Sequence, residues 1–201
     1  VLTKALEKWP KASELYESAA NLYGEKKNYE KALAIVDQGL ANGADPIRMS
    51  FIQASLYEQS GAFDKALATY EAILNKNQNM DLAANNLVSL LLDHFDSKEN
   101  VERAVSIARR FEQSSQPYFQ DSYGWALFKS GRNAEALQVF KSVLAKAPKV
   151  PVFKYHIAQT YQASGNKAEA IKELEEALAI GAKSDDFAEK AAAEQLLKTL
   201  K

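Results

Sequence analysis

Histidine and paired carboxylates are the residue types in this sequence that could support catalysis or bind a metal. Neither His94 nor His156 has a metal-ligating residue three or four positions further along the chain, so the spacing argues against a zinc site. The carboxylate pairs at 175–176 and 185–186 lie among lysine and alanine, which is typical of solvated helix faces. The sequence contains no GxxxxGK[ST], GxGxxG or GxSxG motif. We therefore predict no enzyme, no catalytic residue, no bound metal and no cofactor.

The charge balance argues against nucleic acid or an anionic membrane surface as a partner. The chain of 201 residues has 25 Lys and Arg against 26 Asp and Glu, a net charge of −1, and its only doubled arginine is Arg109-Arg110. No apolar run approaches the roughly 20 residues that span a bilayer. The absence of cysteine excludes disulfides and thiol chemistry. We expect no nucleic-acid partner and no direct membrane insertion.

An internal repeat defines the elements that would position any binding residue. Alanine followed by an apolar residue recurs at 32, 66, 104, 136 and 170, at intervals of 34, 38, 32 and 34 residues. Three of these alanines follow a glycine by five residues, and each glycine follows a small residue by seven: Gly61 with Ala54, Gly131 with Gly124, and Gly165 with Ala158. Small residues let two helices approach closely, and a left-handed glycine ends the first helix. The pattern predicts helical hairpins.

These residues resemble the tetratricopeptide repeat, a helix–turn–helix unit of 34 residues. The resemblance implies an all-α fold, a right-handed superhelical solenoid of antiparallel helix pairs. We assign residues 1–201 to one domain of about five repeats. Its parts are a remnant of a preceding repeat at 1–12, repeats at 13–46, 47–80, 81–116, 117–150 and 151–184, and a capping helix at 185–201. The third repeat departs from the pattern, with extra residues predicted in a loop at 94–100.

A narrower resemblance, to the C-terminal repeat module of bacterial tetratricopeptide proteins, is based on the stretches 84–87, 121–125 and 154–158. These proteins include repeat lipoproteins associated with exopolysaccharide and exosortase systems. The resemblance implies a bacterial source and a location in the cytoplasm or in the periplasm or envelope. The sequence begins with Val1, and we expect it to be the C-terminal piece of a longer array whose targeting segment could lie upstream.

Binding residues are predicted on the concave face, which the first helix of each repeat lines. Side chains one position after and three positions before each small residue should face the groove. The neighbouring amide Asn86 and stripe residues one helical turn before or after these positions are added. The predicted binding set is Phe51, Asn85, Asn86, Ser89, Tyr118, Asp121, Trp125, Phe128, Tyr155 and Gln159. Aromatic rings would anchor a partner, and amides would bond its backbone. The alternative is that a one-residue shift in phase buries Trp125 or Phe128 between repeats.

The start of the same stripe is acidic and polar, with Glu14, Glu17 and Arg48, and its later, apolar part includes Leu82. Chaperone-binding members of the family hold a terminal carboxylate with lysines, an arginine and asparagines. Glu17 stands where the first lysine would be, although Asn21 is retained, and the later positions offer no paired Lys or Arg. We do not expect a carboxylate clamp.

We predict a non-catalytic scaffold that binds a protein or peptide segment in its groove, as part of a larger bacterial protein. The alternative is a structural, self-associating spacer within a multi-repeat envelope protein, which includes a homo-oligomer. Apolar surface expected at Leu2, Leu6 and Trp9 would favour that alternative, since a truncated solenoid exposes what its neighbour covered.

Overall fold

The computed structural model describes residues 5–6, 8–183 and 187–201, and this part of the chain is helical with no strand. The fold is an all-α helical solenoid, as predicted. The helices are α1 Ser13–Glu25, α2 Tyr29–Ala41, α3 Pro46–Gln59, α4 Phe63–Lys76, α5 Asp81–His94, α6 Lys98–Ala108, α7 Pro117–Lys129, α8 Asn133–Lys146, α9 Pro151–Ala163, α10 Lys167–Gly181 and α11 Lys190–Leu200. A 3-10 turn, Arg109–Phe111, follows α6.

The chain divides into two compact units, an N-terminal unit Val1–His94 with α1 to α5 and a C-terminal unit Phe95–Lys201 with α6 to α11. Within each unit, successive helices pack on one another. The first helices of successive hairpins also make contact, as α1 does with α3 and α7 does with α9. The two helices of the predicted repeat 81–116 fall in different units. The repeat boundaries and the capping role of 185–201 stay predictions.

Three hairpin turns depend on glycine for backbone conformation. Gly61, Gly131 and Gly165 have φ of 77°, 82° and 78°, and a Cβ at any of them would meet no atom within 4 Å. Space is therefore available, and the left-handed backbone is what favours glycine. Lys27 takes the same conformation, with φ 57°, in the turn between α1 and α2.

The aligned small residues lie where paired helices cross. The repeated alanines at 32, 66, 104, 136 and 170 are all fully buried. A Cβ on Gly124 would lie 2.7 Å from Cε1 of Phe140, so α7 and α8 approach more closely there than an alanine would allow. At Gly124, this contact accords with the predicted reason for small residues, namely the close approach of two helices.

Two local predictions are wrong. The loop predicted at 94–100 is confined to residues 95–97, because α5 continues through His94 and the Ser97 hydroxyl caps α6 by accepting from the Asn100 amide at 3.2 Å. Leu6, expected to be exposed, is only 9% exposed because it packs in a cluster with Tyr16 and Met49. Trp9 is 53% exposed, as expected. Leu2 and the carboxylate pair at 185–186 lie outside the described residues.

Candidate functional site

Each unit presents a distinct face built from its first helices. In the N-terminal unit, a groove of about 590 Å³ collects residues from α1, α3 and α5. Five of the lining residues belong to the stripe deduced from helical phase: Glu14, Glu17, Arg48, Phe51 and Leu82. The others are Ser13, Asp45, Ile47, Ile52 and Met80. We call this the acidic groove.

Local capping fixes the geometry of the acidic groove. Asp45 caps α3, its carboxylate accepting from the Arg48 amide at 2.7 Å, and Pro46 occupies the first helical turn where no amide donor is needed. The Asp45 amide donates to the buried Ser13 hydroxyl at 2.8 Å, at the start of α1. The α2–α3 loop is thereby attached to α1, and the side chain of Arg48 faces that helix.

Arg48 is the cation of the acidic groove and is already paired. Its guanidinium donates to Glu14 and, through Nε, to Glu17 Oε2 at 2.7 Å. The pKa of Glu14 is lowered by a hydrogen bond from its own backbone amide and then by Arg48, and the Glu17 hydrogen bond raises the pKa of Arg48. Such exposed pairs add little stability. These ion pairs instead fix the position of the Arg48 guanidinium, which they hold against α1.

Behind Phe51 lies a polar chain centred on Tyr70. The Phe51 ring meets the Tyr70 ring edge-on at 5.9 Å, and the Tyr70 hydroxyl donates to Glu58 Oε2 at 2.5 Å and accepts from Asn86 Nδ2 at 3.1 Å. Burial raises the pKa of both Glu58 and Tyr70. One donor of Asn86, a predicted ligand residue, is thus used to join α5 to α4.

The other predicted residues on α5 are Asn85 and Ser89, and both are half-buried. They lie one position before and three positions after Asn86 on the same helix. The structure therefore places Phe51, Asn85, Asn86 and Ser89 in the N-terminal unit.

In the C-terminal unit, an aromatic stack forms where α7 faces α9. The Trp125 ring stacks on Phe128 at 5.0 Å and on His156 at 4.3 Å, with interplanar angles of 23° and 19°. Trp125 and Phe128 are half-buried. Because Asp121, Trp125 and Phe128 follow one another at helical spacing, α7 carries them on one face. We call Trp125, Phe128 and His156 the aromatic stack.

A buried carboxylate orients the aromatic stack. His156 Nδ1 donates to Asp121 Oδ2 at 2.9 Å, which fixes the imidazole plane against Trp125. The second oxygen of Asp121, Oδ1, is buried without a hydrogen-bond partner, and so is Oε1 of the half-buried Gln159. Buried acceptors of this kind usually bond to protein or water. Two of them lie on the helices that form the stack.

His156 is a member of this site that the sequence analysis missed. The sequence analysis considered it only as a metal ligand. A signal was available, because Asp121 and His156 are 35 residues apart, close to one repeat, and residues one period apart become neighbours in a solenoid. His94 stacks on Phe63 at 3.5 Å instead. In the described part of the chain, no group of three or more His, Cys, Asp or Glu residues could hold a metal ion.

Tyr118 and Tyr155 differ in exposure although both were placed on one stripe. Tyr118 is 61% exposed, with its ring edge-on to Phe153 at 4.9 Å, and it lines a pocket of about 400 Å³ with residues 149–152. Tyr155 is buried, against the expected groove exposure, because Phe187 packs on its ring from the segment before α11. The structure thus brings Asp121, Trp125 and Phe128 together with His156, and directs Tyr155 into the core.

Among the helices that the structure describes, none is long and apolar enough to cross a membrane.

Comparison with known protein families identifies the repeat. Two family profiles, both described as tetratricopeptide repeat, match residues 18–86 and 127–196. No curated protein sequence matches the chain.

Solved structures match over nearly the whole chain. YrrB, described as a TPR protein with an unusual peptide-binding site, is 21% identical, with 97% of this chain and 98% of that chain covered and a TM-score of 0.64. TTC0263, a thermophilic TPR protein of Thermus thermophilus, is 18% identical, with 92% and 100% covered and a TM-score of 0.71. A tetratricopeptide repeat protein of Parabacteroides merdae is 17% identical, with 99% and 89% covered and a TM-score of 0.69. At these identities the likeness shows the fold.

Proposed function

The chain is a tetratricopeptide repeat protein, and from this premise we propose that it binds a partner segment on the first-helix face of its C-terminal unit, around Trp125. Tetratricopeptide repeats generally mediate protein–protein interaction, and proteins of this class are typically non-catalytic scaffolds. The peptide-binding site named for YrrB is a feature of a protein with this fold, and it supports the proposal.

The aromatic stack is the observation on which the proposal depends. A half-buried indole packed against Phe128 and His156 presents a rigid apolar surface that loses little side-chain entropy on binding. Tyr118, largely exposed one turn of α7 before Asp121, extends the same surface. Asp121 supports this surface from below by fixing His156, and the half-buried Gln159 follows His156 by three residues on α9.

The other predicted residues have supporting roles in this proposal. Phe51, Asn85, Asn86 and Ser89 belong to the N-terminal unit, and in this proposal they would form a separate contact surface of that unit. Tyr155 would act from the core, by supporting α9 beneath His156.

Peptide selection provides the test. Random peptides displayed on phage are selected on the wild-type protein, and the dissociation constants of the selected peptides are then measured for Tyr118→Ala with Trp125→Ala. We expect a loss of more than tenfold, since central aromatic anchors carry most of the binding free energy. The matched control is Trp9→Ala, which removes an exposed indole from the other unit. A loss of tenfold or less, with the helical circular dichroism spectrum retained, would contradict the site.

Self-association is the second candidate, and the exposure of Trp9 in the N-terminal unit favours it. The burial of Leu6 leaves less apolar surface near the start of the chain than the sequence indicated. A monomer at high concentration in multi-angle light scattering would exclude this function. A concentration-dependent dimer that Trp9→Ala dissociates would support it.

A further inference from the structure

The acidic groove of the N-terminal unit combines apolar surface with an excess of negative charge. Leu82 is 57% exposed at its edge, although it is a large apolar residue, and Phe51, Ile52 and Met80 line the same space. Three carboxylates, those of Glu14, Glu17 and Asp45, line the groove together with one guanidinium, that of Arg48. This pairing of exposed leucine with uncompensated carboxylates is not needed for the core, whose buried cluster includes Tyr16, Val36 and Met49.

The pairing of Arg48 determines which charge the groove can accept. Because the guanidinium already donates to Glu14 and Glu17, an incoming carboxylate would have to break those contacts. An incoming cation needs no such rearrangement. Glu14 has a side chain that is 69% exposed, so a lysine or arginine of a partner could reach it from solvent. The two carboxylates in excess would also attract that cation at low ionic strength.

We propose that the acidic groove is a second binding site, selective for an extended segment of a partner protein that carries basic side chains next to apolar ones. Leu82 and Phe51 would contact its apolar side chains, and Glu14 with Glu17 would bind its basic side chain. Neighbouring helices pack about 8–10 Å apart, so a path across α1, α3 and α5 matches about five or six extended residues. The site lies wholly in the N-terminal unit and does not depend on the aromatic stack.

Two synthetic probes test the selectivity. One is a fluorescein-labelled hexapeptide that alternates leucine and lysine, and the other replaces each lysine with glutamate. Fluorescence anisotropy should show that the lysine probe binds the wild-type chain at least fivefold more tightly, with the difference shrinking as salt is raised, since exposed charges are screened. Equal binding of the two probes, or tighter binding of the glutamate probe, would overturn the proposal.

Variants of the groove distinguish this site from general attraction to an acidic surface. Glu14→Gln should weaken the lysine probe roughly two- to fivefold, and Leu82→Ala about tenfold. Glu30→Gln is the matched control, because it removes an exposed carboxylate near the start of α2 that does not line the groove. An equal effect of Glu30→Gln and Glu14→Gln would overturn the site.

Arg48→Gln gives the most specific readout. Removing the competing cation should tighten binding of the lysine probe, whereas a groove that merely needs its ion pairs for shape would bind less tightly. Loss of binding with the helical spectrum intact would overturn the proposal.

Two further results separate this site from other functions. If the Tyr118→Ala and Trp125→Ala pair abolishes lysine-probe binding, the probe occupies the C-terminal unit, so this inference fails while the proposed function stands. If the free protein forms a dimer that Leu82→Ala dissociates, the groove is an interface between copies of the chain, and the proposal is likewise wrong.

Discussion

Lys27 has a left-handed backbone conformation that L-residues rarely adopt. It occupies the turn position that Gly61, Gly131 and Gly165 occupy in other hairpins, five residues before the aligned alanine. An L-residue there costs about 1–2 kcal/mol relative to the right-handed region. The N-terminal hairpin therefore folds with a local strain that the glycine turns avoid.

Lys27→Gly should raise the free energy of unfolding by about 0.5–1 kcal/mol, because relief of strain exceeds the extra chain entropy of glycine in the unfolded state. Urea denaturation followed by circular dichroism measures the change. Lys26→Gly is the control: its φ is −82°, so glycine should bring no gain. Unchanged or lower stability of Lys27→Gly would contradict the strain.

Side-chain burial was the part of the site that helical phase could not predict. Phase gives the direction of a side chain from its own helix, and Glu14, Arg48, Phe51 and Leu82, which share one predicted direction, line one groove. It could not predict that Phe187, from a segment outside the repeat pattern, would cover Tyr155. A repeat pattern in the sequence predicts only contacts that recur in each repeat. It does not predict a contact with a segment that occurs once.

At the scale of the helix pair, the α7–α8 crossing shows how one missing methyl group sets the distance between two helices. Gly124 lies against the ring of Phe140, whereas Ala54 and Ala158 occupy the same position in two other predicted repeats. The close approach is therefore specific to this helix pair, since Ala54 is accommodated although Tyr70 occupies the position equivalent to Phe140.

Gly124→Ala should destabilise the protein by about 1–3 kcal/mol, because the added methyl overpacks against Phe140. Phe140→Leu alone also costs stability, but combining the two should cost less than their sum, since the smaller side chain makes room for the methyl. A double-mutant cycle from denaturant unfolding measures the coupling. Strictly additive losses would show that the ring is not what excludes alanine.

Element ends were predictable where capping chemistry was visible in the sequence. Pro46, Pro117 and Pro151 each stand at the first helical turn, as proline does at helix starts. The loop of the third repeat was overestimated, because the Ser97 cap and the extension of α5 to His94 shortened it from both sides. A serine alone does not show which of several loop positions will begin a helix.

Across the whole molecule, stability should be local, since each solenoid repeat contacts mainly its neighbours. The two compact units accord with this, and each has its own buried cluster, one including Tyr16 and Met49 and the other Leu174 and Phe187. The fold was predictable because a sequence pattern that is weak in one repeat recurs five times at nearly the same spacing. The partner was not, because one scaffold serves many functions.

Leu174→Ala should increase amide hydrogen exchange in α9, α10 and α11 more than in α1 to α4, because the cavity, worth about 2–5 kcal/mol, weakens the cluster around Phe187. Exchange followed by mass spectrometry gives the change for each helix. Met49→Ala removes the corresponding core side chain in the N-terminal unit and should increase exchange in α1 to α4 more than in α9 to α11. A uniform rise in every helix would show instead a single cooperative unit.

The aromatic stack also gives the chain an intrinsic optical reporter. Of the two indoles in the sequence, Trp9 is 53% exposed, whereas Trp125 lies against an imidazole and a phenyl ring. Their emission spectra should differ in colour and in sensitivity to quenchers. Replacing Trp9 with phenylalanine leaves Trp125 as the source of the tryptophan fluorescence. A molecule that binds to this face should therefore change that fluorescence, and its binding can be measured without an attached dye.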